Sequence, residues 1–320
     1  MDYSLLLDNL TNPALLFFVL GILAVRLKSD LCIPETSSKF ISLYLLLSIG
    51  FKGGQELAHS EFSFDIVKAI LFGITIAAAI PFYVFFLLKR KLGADNAGAI
   101  AASYGSVSAV TFVTALSFLE SQQLHANGYM VATMALMEAP SIIIGVILIR
   151  LFGQPSTETP RLRTTIQHSL TNGSVLLILG SLVIGLLAND QQAQGIKPFT
   201  TDLFKGFLAI FLLEMGIVSG RKLNDFVKSG GLLTVFALVI PLINGIAVAI
   251  LSASVSDNIA NRFMFAVLAA SASYIAVPAA MKIAAPKANP GIYFPMALAI
   301  TFPFNITLGM PIYLLVVKNF

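Results

Sequence analysis

Charged residues are scarce in this chain. They make up 11% of its 320 residues, where soluble domains carry roughly 25%. Tryptophan is absent and cysteine occurs once, as Cys32. A single cysteine excludes an internal disulfide and a cysteine-rich metal site. The three histidines, His59, His125 and His168, fall in or near loops, with no spacing that suits a metal. No phosphate loop of the form GxxxxGKS or GxxxxGKT occurs, which argues against an ATP-driven pump. No histidine sits at depth to activate a serine, and the stretch Gly105 to Ala109 matches a nucleophile elbow incompletely. An intramembrane enzyme is therefore disfavoured.

What is present is apolar. Hydrophobic residues make up 57% of the chain and the mean hydropathy is +0.87. Stretches long enough to cross a bilayer recur along the whole length. The pI of about 9.1 does not imply nucleic acid, because the basic residues are spread through short loops. The start, MDYSLLLDNLTNP, is acidic before its apolar run, a poor signal peptide and a fair lead-in to a first helix.

The pattern predicts an all-α membrane protein of ten spans, near 12–29, 36–56, 65–90, 94–119, 127–153, 169–189, 203–221, 230–252, 258–285 and 291–317. A polar linker at 154–168 separates residues 1–153 from 169–320, five spans each. Of the 20 Lys and Arg residues, only Lys52, Lys68, Lys197, Lys205, Arg262 and Lys318 fall outside the loops that follow odd-numbered spans. The positive-inside rule then puts those loops in the cytoplasm and both termini outside. An odd number of spans per half turns the second half upside down, so the two form an inverted repeat.

The repeat is visible in the residues. LLSIGFKGGQEL (Leu46 to Leu57) aligns without a gap on LLEMGIVSGRKL (Leu212 to Leu223), with Gly50 and Gly54 opposite Gly216 and Gly220. That spacing lets another helix approach closely. Asp-x-Val-Lys also recurs, at Asp65 and Asp225, and reads as a helix start at the interface. Ala101-Ala102-Ser103 lies on Ala269-Ala270-Ser271, within spans 4 and 9. Both spans carry clustered hydroxyls, with Gly105 in one and Pro278 in the other. Interrupted helices at mid-membrane expose N–H groups that favour an anion and carbonyls that favour a cation. Two such interruptions meeting across an inverted repeat make one polar site. Spans 5 and 10 correspond as well, Pro140 opposite Pro303. Glu138 stands in the apolar part of span 5, and Thr301 and Asn305 offer neutral oxygens opposite. A carboxylate at that depth reads as functional, balancing a cation or carrying a proton. Glu214, in span 7, is a second intramembrane acid, ranked below Glu138 because a neighbouring lysine can simply pair with it.

YGSVSAVT (Tyr104 to Thr111), LMEAP (Leu136 to Pro140), LAASASYIAVP (Leu268 to Pro278) and KANPGIY (Lys287 to Tyr293) together resemble the sodium-dependent bicarbonate transporter family, the SbtA-type bacterial permeases. The resemblance covers essentially the whole chain. It implies a mobile core of spans 3–5 and 8–10, a scaffold of spans 1, 2, 6 and 7, a homotrimer in the bacterial inner membrane, and elevator-like movement. It assigns the substrate anion to Ser106, Ser108, Thr111, Ser271 and Ser273. The coupling ion, Na⁺, falls to Ser103, Gly105, Glu138, Thr301 and Asn305. No other cofactor is implied. Some members bind a PII-like regulator on the cytoplasmic side, where the loop between spans 5 and 6 is short here. The chain departs from the family pattern at Ala109-Val110, Ala272, Tyr274 and Ala276-Val277, where oxygen ligands are replaced by apolar or bulky side chains.

Three functions follow from these residues. The first is Na⁺-coupled uptake of bicarbonate or a similar small anion. The second is proton-coupled transport of an organic anion through Glu138. The third is a non-transporting membrane sensor built on the same fold.

Overall fold

The computed structural model describes residues 9, 11–59, 63–153, 167, 171, 173–227 and 231–320. Apart from residue 167, the expected linker lies outside the described residues, as do Arg161, Arg163, His168 and Lys228. The described residues are helical, with no strand among them. In chain order the helices are α1 Pro13–Arg26, α2 Glu35–Ala58, α3 Phe64–Gly105, α4 Ala109–Ser121, α5 Tyr129–Phe152, α6 Gly173–Leu187, α7 Asp190–Lys197, α8 Phe204–Val227, α9 Gly231–Leu251, α10 Ile259–Ala270 and α11 Ala276–Ala284. The last, α12, is the continuous run Pro290–Asn319.

Five continuous runs among the described residues are long and apolar enough to cross a bilayer. They are Phe64–Ser121, Tyr129–Phe152, Asp190–Leu223, Gly231–Ser254 and Pro290–Asn319. Pro13–Arg26, Gly173–Leu187 and Ile259–Ala270 are shorter apolar helices. Their outer faces carry exposed Leu71, Phe82 and Leu87 on α3, Ile184 and Leu187 on α6, and Val235 and Ile243 on α9. Such surfaces suit hydrocarbon, where all backbone polar groups must pair internally and helices do so within one segment.

Local chemistry sets many of the boundaries. Asn12 accepts from the Ala14 amide with Pro13 at the first position of α1, where a missing N–H is no loss. Asn258 accepts from Ala260 and Asn261 to start α10, and Asn289 from Gly291 to start α12. Gly93 has φ 76° and breaks α3 into two arms, a backbone angle that only glycine adopts without steric cost. That break falls between the expected spans 3 and 4. Asn189 and Gln192 form a reciprocal capping box at α7, a short exposed helix the hydropathy pattern does not reveal. Asp190 of α7 meets His59 at 3.0 Å. The Gln55 carbonyl and the Asp190 carboxylate hold the His59 pKa above the ordinary histidine value.

Two expectations change. Asp65 does open a helix, bonded to Lys68 at 3.0 Å, but Asp225 lies near the end of α8. The polar residues after Gly220 continue that helix instead of starting the next. Nor does Pro278 interrupt a helix. It is the third residue of α11, in the first turn, where proline costs no intrahelical bond. The interruption comes before it, at residues 271–275.

Packing is organised in pairs. α3 lies most extensively on α5, α2 on α6, α1 on α8 and α9 on α10. Glycines allow the close approaches. A methyl group at Gly50 would come within 2.7 Å of the Ile178 carbonyl, and one at Gly54 within 2.8 Å of the Leu186 amide. One at Gly216 would lie 2.9 Å from the Phe18 carbonyl carbon. So Gly50 and Gly54 seat α2 on α6, while Gly216 and Gly220 seat α8 on α1.

Candidate functional site

Helix α3 ends at Gly105 and α4 begins at Ala109; α10 ends at Ala270 and α11 begins at Ala276. The residues after the first helix of each pair are extended, Ser106 at φ −80°, ψ 170° and Ser271 at φ −79°, ψ 164°. By helix position Ser106 therefore matches Ser271, whereas the repeated Ala-Ala-Ser sets Ser103 against it. Gly105 is needed for space: a methyl there would touch the Pro81 ring at 2.5 Å and the Ser141 hydroxyl.

The two interruptions cross and bond to each other. The Ser273 amide donates to the Ser103 carbonyl at 2.8 Å, and the Ser103 hydroxyl donates to the Ser273 carbonyl at 2.7 Å. The Ser108 amide donates to the Ser271 hydroxyl at 3.0 Å, and that hydroxyl donates to Leu268 O at 2.8 Å. Ser108 in turn caps α4, accepting from the Thr111 amide at 3.2 Å. Helix ends leave backbone groups without intrahelical partners, and here each interruption supplies partners for the other. Ser141 adds a bond to Ala102 O at 2.9 Å.

Thr301 and Asn305 sit behind the crossing. The Asn305 amide donates to Ala270 O at 2.7 Å, and its Oδ1 accepts from Tyr313 at 2.9 Å. Thr301 donates to Ala237 O at 2.7 Å, which leaves the Tyr104 hydroxyl to donate to Thr301 at 2.8 Å. Both side chains are fully buried. Around Asn305 the α12 backbone widens into π-turns, Met296–Thr301 and Asn305–Gly309, on either side of Pro303. A proline inside a helix removes a donor and pushes the preceding turn aside.

A cleft opens on the other side of the crossing. It is lined by Val107 to Val110 and Ser273 to Ala276 from the interruptions, and by Met134, Ala135 and Glu138 from α5. Its far wall is Ser42, Leu45 and Leu46 of α2, Ser174 and Ile178 of α6, and Phe211 of α8. Glu138 is 9% exposed, and among the described residues no Lys or Arg lines the cleft. The first turns of α4 and α11 both begin at its edge, a geometry that favours negative charge near their free amides. Two hydroxyls remain over. Ser106 Oγ and Tyr274 OH are buried without a hydrogen-bond partner.

Of the residues anticipated from sequence, Ser103, Ser106, Ser108, Thr111, Ser271 and Ser273 come together at the crossing, with Glu138 in the lining of the adjoining cleft. Thr301 and Asn305 lie in the layer behind. Sequence reasoning missed Ser141, one residue past Pro140, and the far-wall serines Ser42 and Ser174. Small polar residues in the helices that pack on the repeat were the available signal.

A chain whose described residues are helical, with lipid-suited faces and a polar crossing buried among the helices, is an integral membrane protein. The family model described as the Na⁺-dependent bicarbonate transporter superfamily matches residues 13–318. The chain belongs to that superfamily. No curated protein matches it.

Proposed function

We propose that this protein is a secondary active transporter that couples an inward Na⁺ gradient to uptake of bicarbonate or a similar small anion. The observation that carries the reading is the crossing of the two interruptions beside Glu138. The anion sits at the first turns of α4 and α11, with Ser106, Ser108, Thr111, Ser271 and Ser273 around it. Na⁺ answers the negative charge of Glu138, whose burial without a cationic neighbour in the cleft is costly. Ten spans in two inverted halves, both termini outside, complete the proposal.

The cleft divides the helices into two groups. α3, α4, α5, α9, α10, α11 and α12 form the core; α1, α2, α6 and α8 form the scaffold. The pairing of α2 with α6 and of α1 with α8 supports a scaffold that holds itself together. An elevator-like step would slide the core along the wall of Leu45, Leu46, Ile178 and Phe211, which offers apolar side chains and little to hold the core at one height. The homotrimer belongs to the same proposal.

The test is uptake of labelled bicarbonate by proteoliposomes with and without an inward Na⁺ gradient. Gradient-dependent uptake above that of protein-free vesicles is expected; equal uptake overturns the reading. A second reading, proton-coupled transport of an organic anion, is favoured by the apolar residues Val110 and Ile275 in the cleft lining. Under it a pH gradient replaces Na⁺ as the driver, and Glu138→Gln abolishes that dependence.

A further inference from the structure

We infer that Glu214, with Tyr274 and Ser38, forms a second Na⁺ site on the scaffold side of the cleft; the inference rests on the transport reading above. Glu214 is 9% exposed in the middle of α8. Among the described residues it makes no ion pair, so the lysine partner expected from sequence is not there. Its Oε2 is buried without a hydrogen-bond partner. A buried carboxylate oxygen in that condition calls for a cation or a donor.

The surroundings supply oxygen and little else. The Ser38 hydroxyl of α2 faces the Glu214 carboxylate. The Tyr274 hydroxyl, on a side chain 5% exposed, faces the Ser108 hydroxyl without a well-formed hydrogen bond and lies within electrostatic reach of Glu214. Glu214 is one turn past Phe211 on α8, and Phe211 and Tyr274 both line the cleft. An acceptor and a hydroxyl, each without a well-formed hydrogen bond, thus lie within electrostatic reach of one another. One hard cation between them takes the carboxylate, phenol and serine oxygens as ligands and satisfies both groups.

The repeat argues against a merely structural carboxylate. Ser48 is the counterpart of Glu214 in the aligned segments, two residues before Gly50 as Glu214 is two before Gly216. Close packing of the glycine face is met there by a small neutral side chain, so packing does not require the charge. Glu138 lines the cleft from α5, while Glu214 lies one turn along α8 from Phe211 of the far wall. A cation held by Glu214 and Ser38 of the scaffold and Tyr274 of the core bridges the two groups of helices, whereas one on Glu138 travels with the core.

The experiment is thermal unfolding of the full chain in nanodiscs across a Na⁺ series, with choline holding ionic strength constant and bicarbonate absent. A ligand that binds only the folded state stabilises it in proportion to the ions bound, so the dependence on log Na⁺ should fall from about two ions to about one in Glu214→Gln. An unchanged dependence in folded Glu214→Gln overturns the inference, as does wild-type protein stabilised by acid but not by Na⁺. If Glu214→Gln does not fold, Tyr274→Phe and Ser38→Ala keep the carboxylate; each should raise the half-saturating Na⁺ concentration by roughly tenfold, and no change in either overturns it. The readout needs no transport. Wild-type protein that keeps the two-ion dependence but fails to move bicarbonate sinks the transport reading and leaves the site standing.

Discussion

Hydroxyl and amide side chains at the crossing divide into those already bonded to backbone and those left over. Ser103, Ser271 and Asn305 each satisfy a carbonyl near a helix end, at Ser273, Leu268 and Ala270. The Ser106 hydroxyl has no hydrogen-bond partner among the described residues. Their replacement should therefore differ in kind. Asn305→Ala strands the Ala270 carbonyl and should cost about 1–3 kcal/mol. Ser106→Ala removes no bond and should stay within about 0.5 kcal/mol, while weakening bicarbonate binding if the hydroxyl holds the anion. Thermal unfolding of both variants in nanodiscs, followed by bicarbonate titration, separates the two. The departures from the family pattern sort the same way. Tyr274 is a donor in search of an acceptor, whereas Val277 is wholly buried and lends only its amide, to Ser273 Oγ at 3.4 Å.

Among the helices, the glycine pairs explain why the chain repeats itself where it does. Gly54 faces Leu182, Gly185 and Leu186 of α6; Gly216 faces Phe18 and Gly21 of α1. Each pair lets one helix sit against the backbone of another, a packing role that says nothing about solute. Gly54→Leu and Gly216→Leu should pry these helices apart, costing about 1–3 kcal/mol or more by overpacking. Gly180→Leu and Gly206→Leu are the controls, because nothing lies within 4 Å of a methyl group at either. Yield of folded protein and its unfolding temperature check the contrast; equal tolerance at all four positions would remove the glycine argument.

For the molecule as a whole, one charged cluster joins the two groups of helices. Glu120 on α4 meets Lys52 of α2 at 3.5 Å and Lys205 of α8 at 3.2 Å. If the core slides, this contact must break and re-form. Partly exposed ion pairs are worth about 0–1 kcal/mol each, enough to bias the core without locking it. Glu120→Gln should therefore alter initial uptake rates and weaken their dependence on ionic strength. Lys52→Glu combined with Glu120→Lys should restore the rate that Glu120→Lys alone loses. Rates indifferent to all of these changes would show that α4 does not move against α2 and α8. Such a cluster is invisible in sequence, since Lys52, Glu120 and Lys205 are far apart along the chain and each reads as an ordinary interfacial charge.

Apolar run length and glycine spacing made the helices legible from sequence, because each depends on neighbours within a turn or two. The short α7 escaped because its stability comes from a capping box and not from an apolar stripe. The serines and Glu138 stood out in the sequence too, since polar groups are rare in such a chain. Their mutual register was not. That Ser103 bonds Ser273, that Ser106 matches Ser271, that Thr301 and Asn305 support the crossing from behind, and that Glu214 makes no ion pair among the described residues all depend on which segments meet in space. The sequence alone determined what each segment is. Only the tertiary structure decided which polar groups are already paired and which still have a lone pair or a proton to offer, because that accounting closes between helices and not within them.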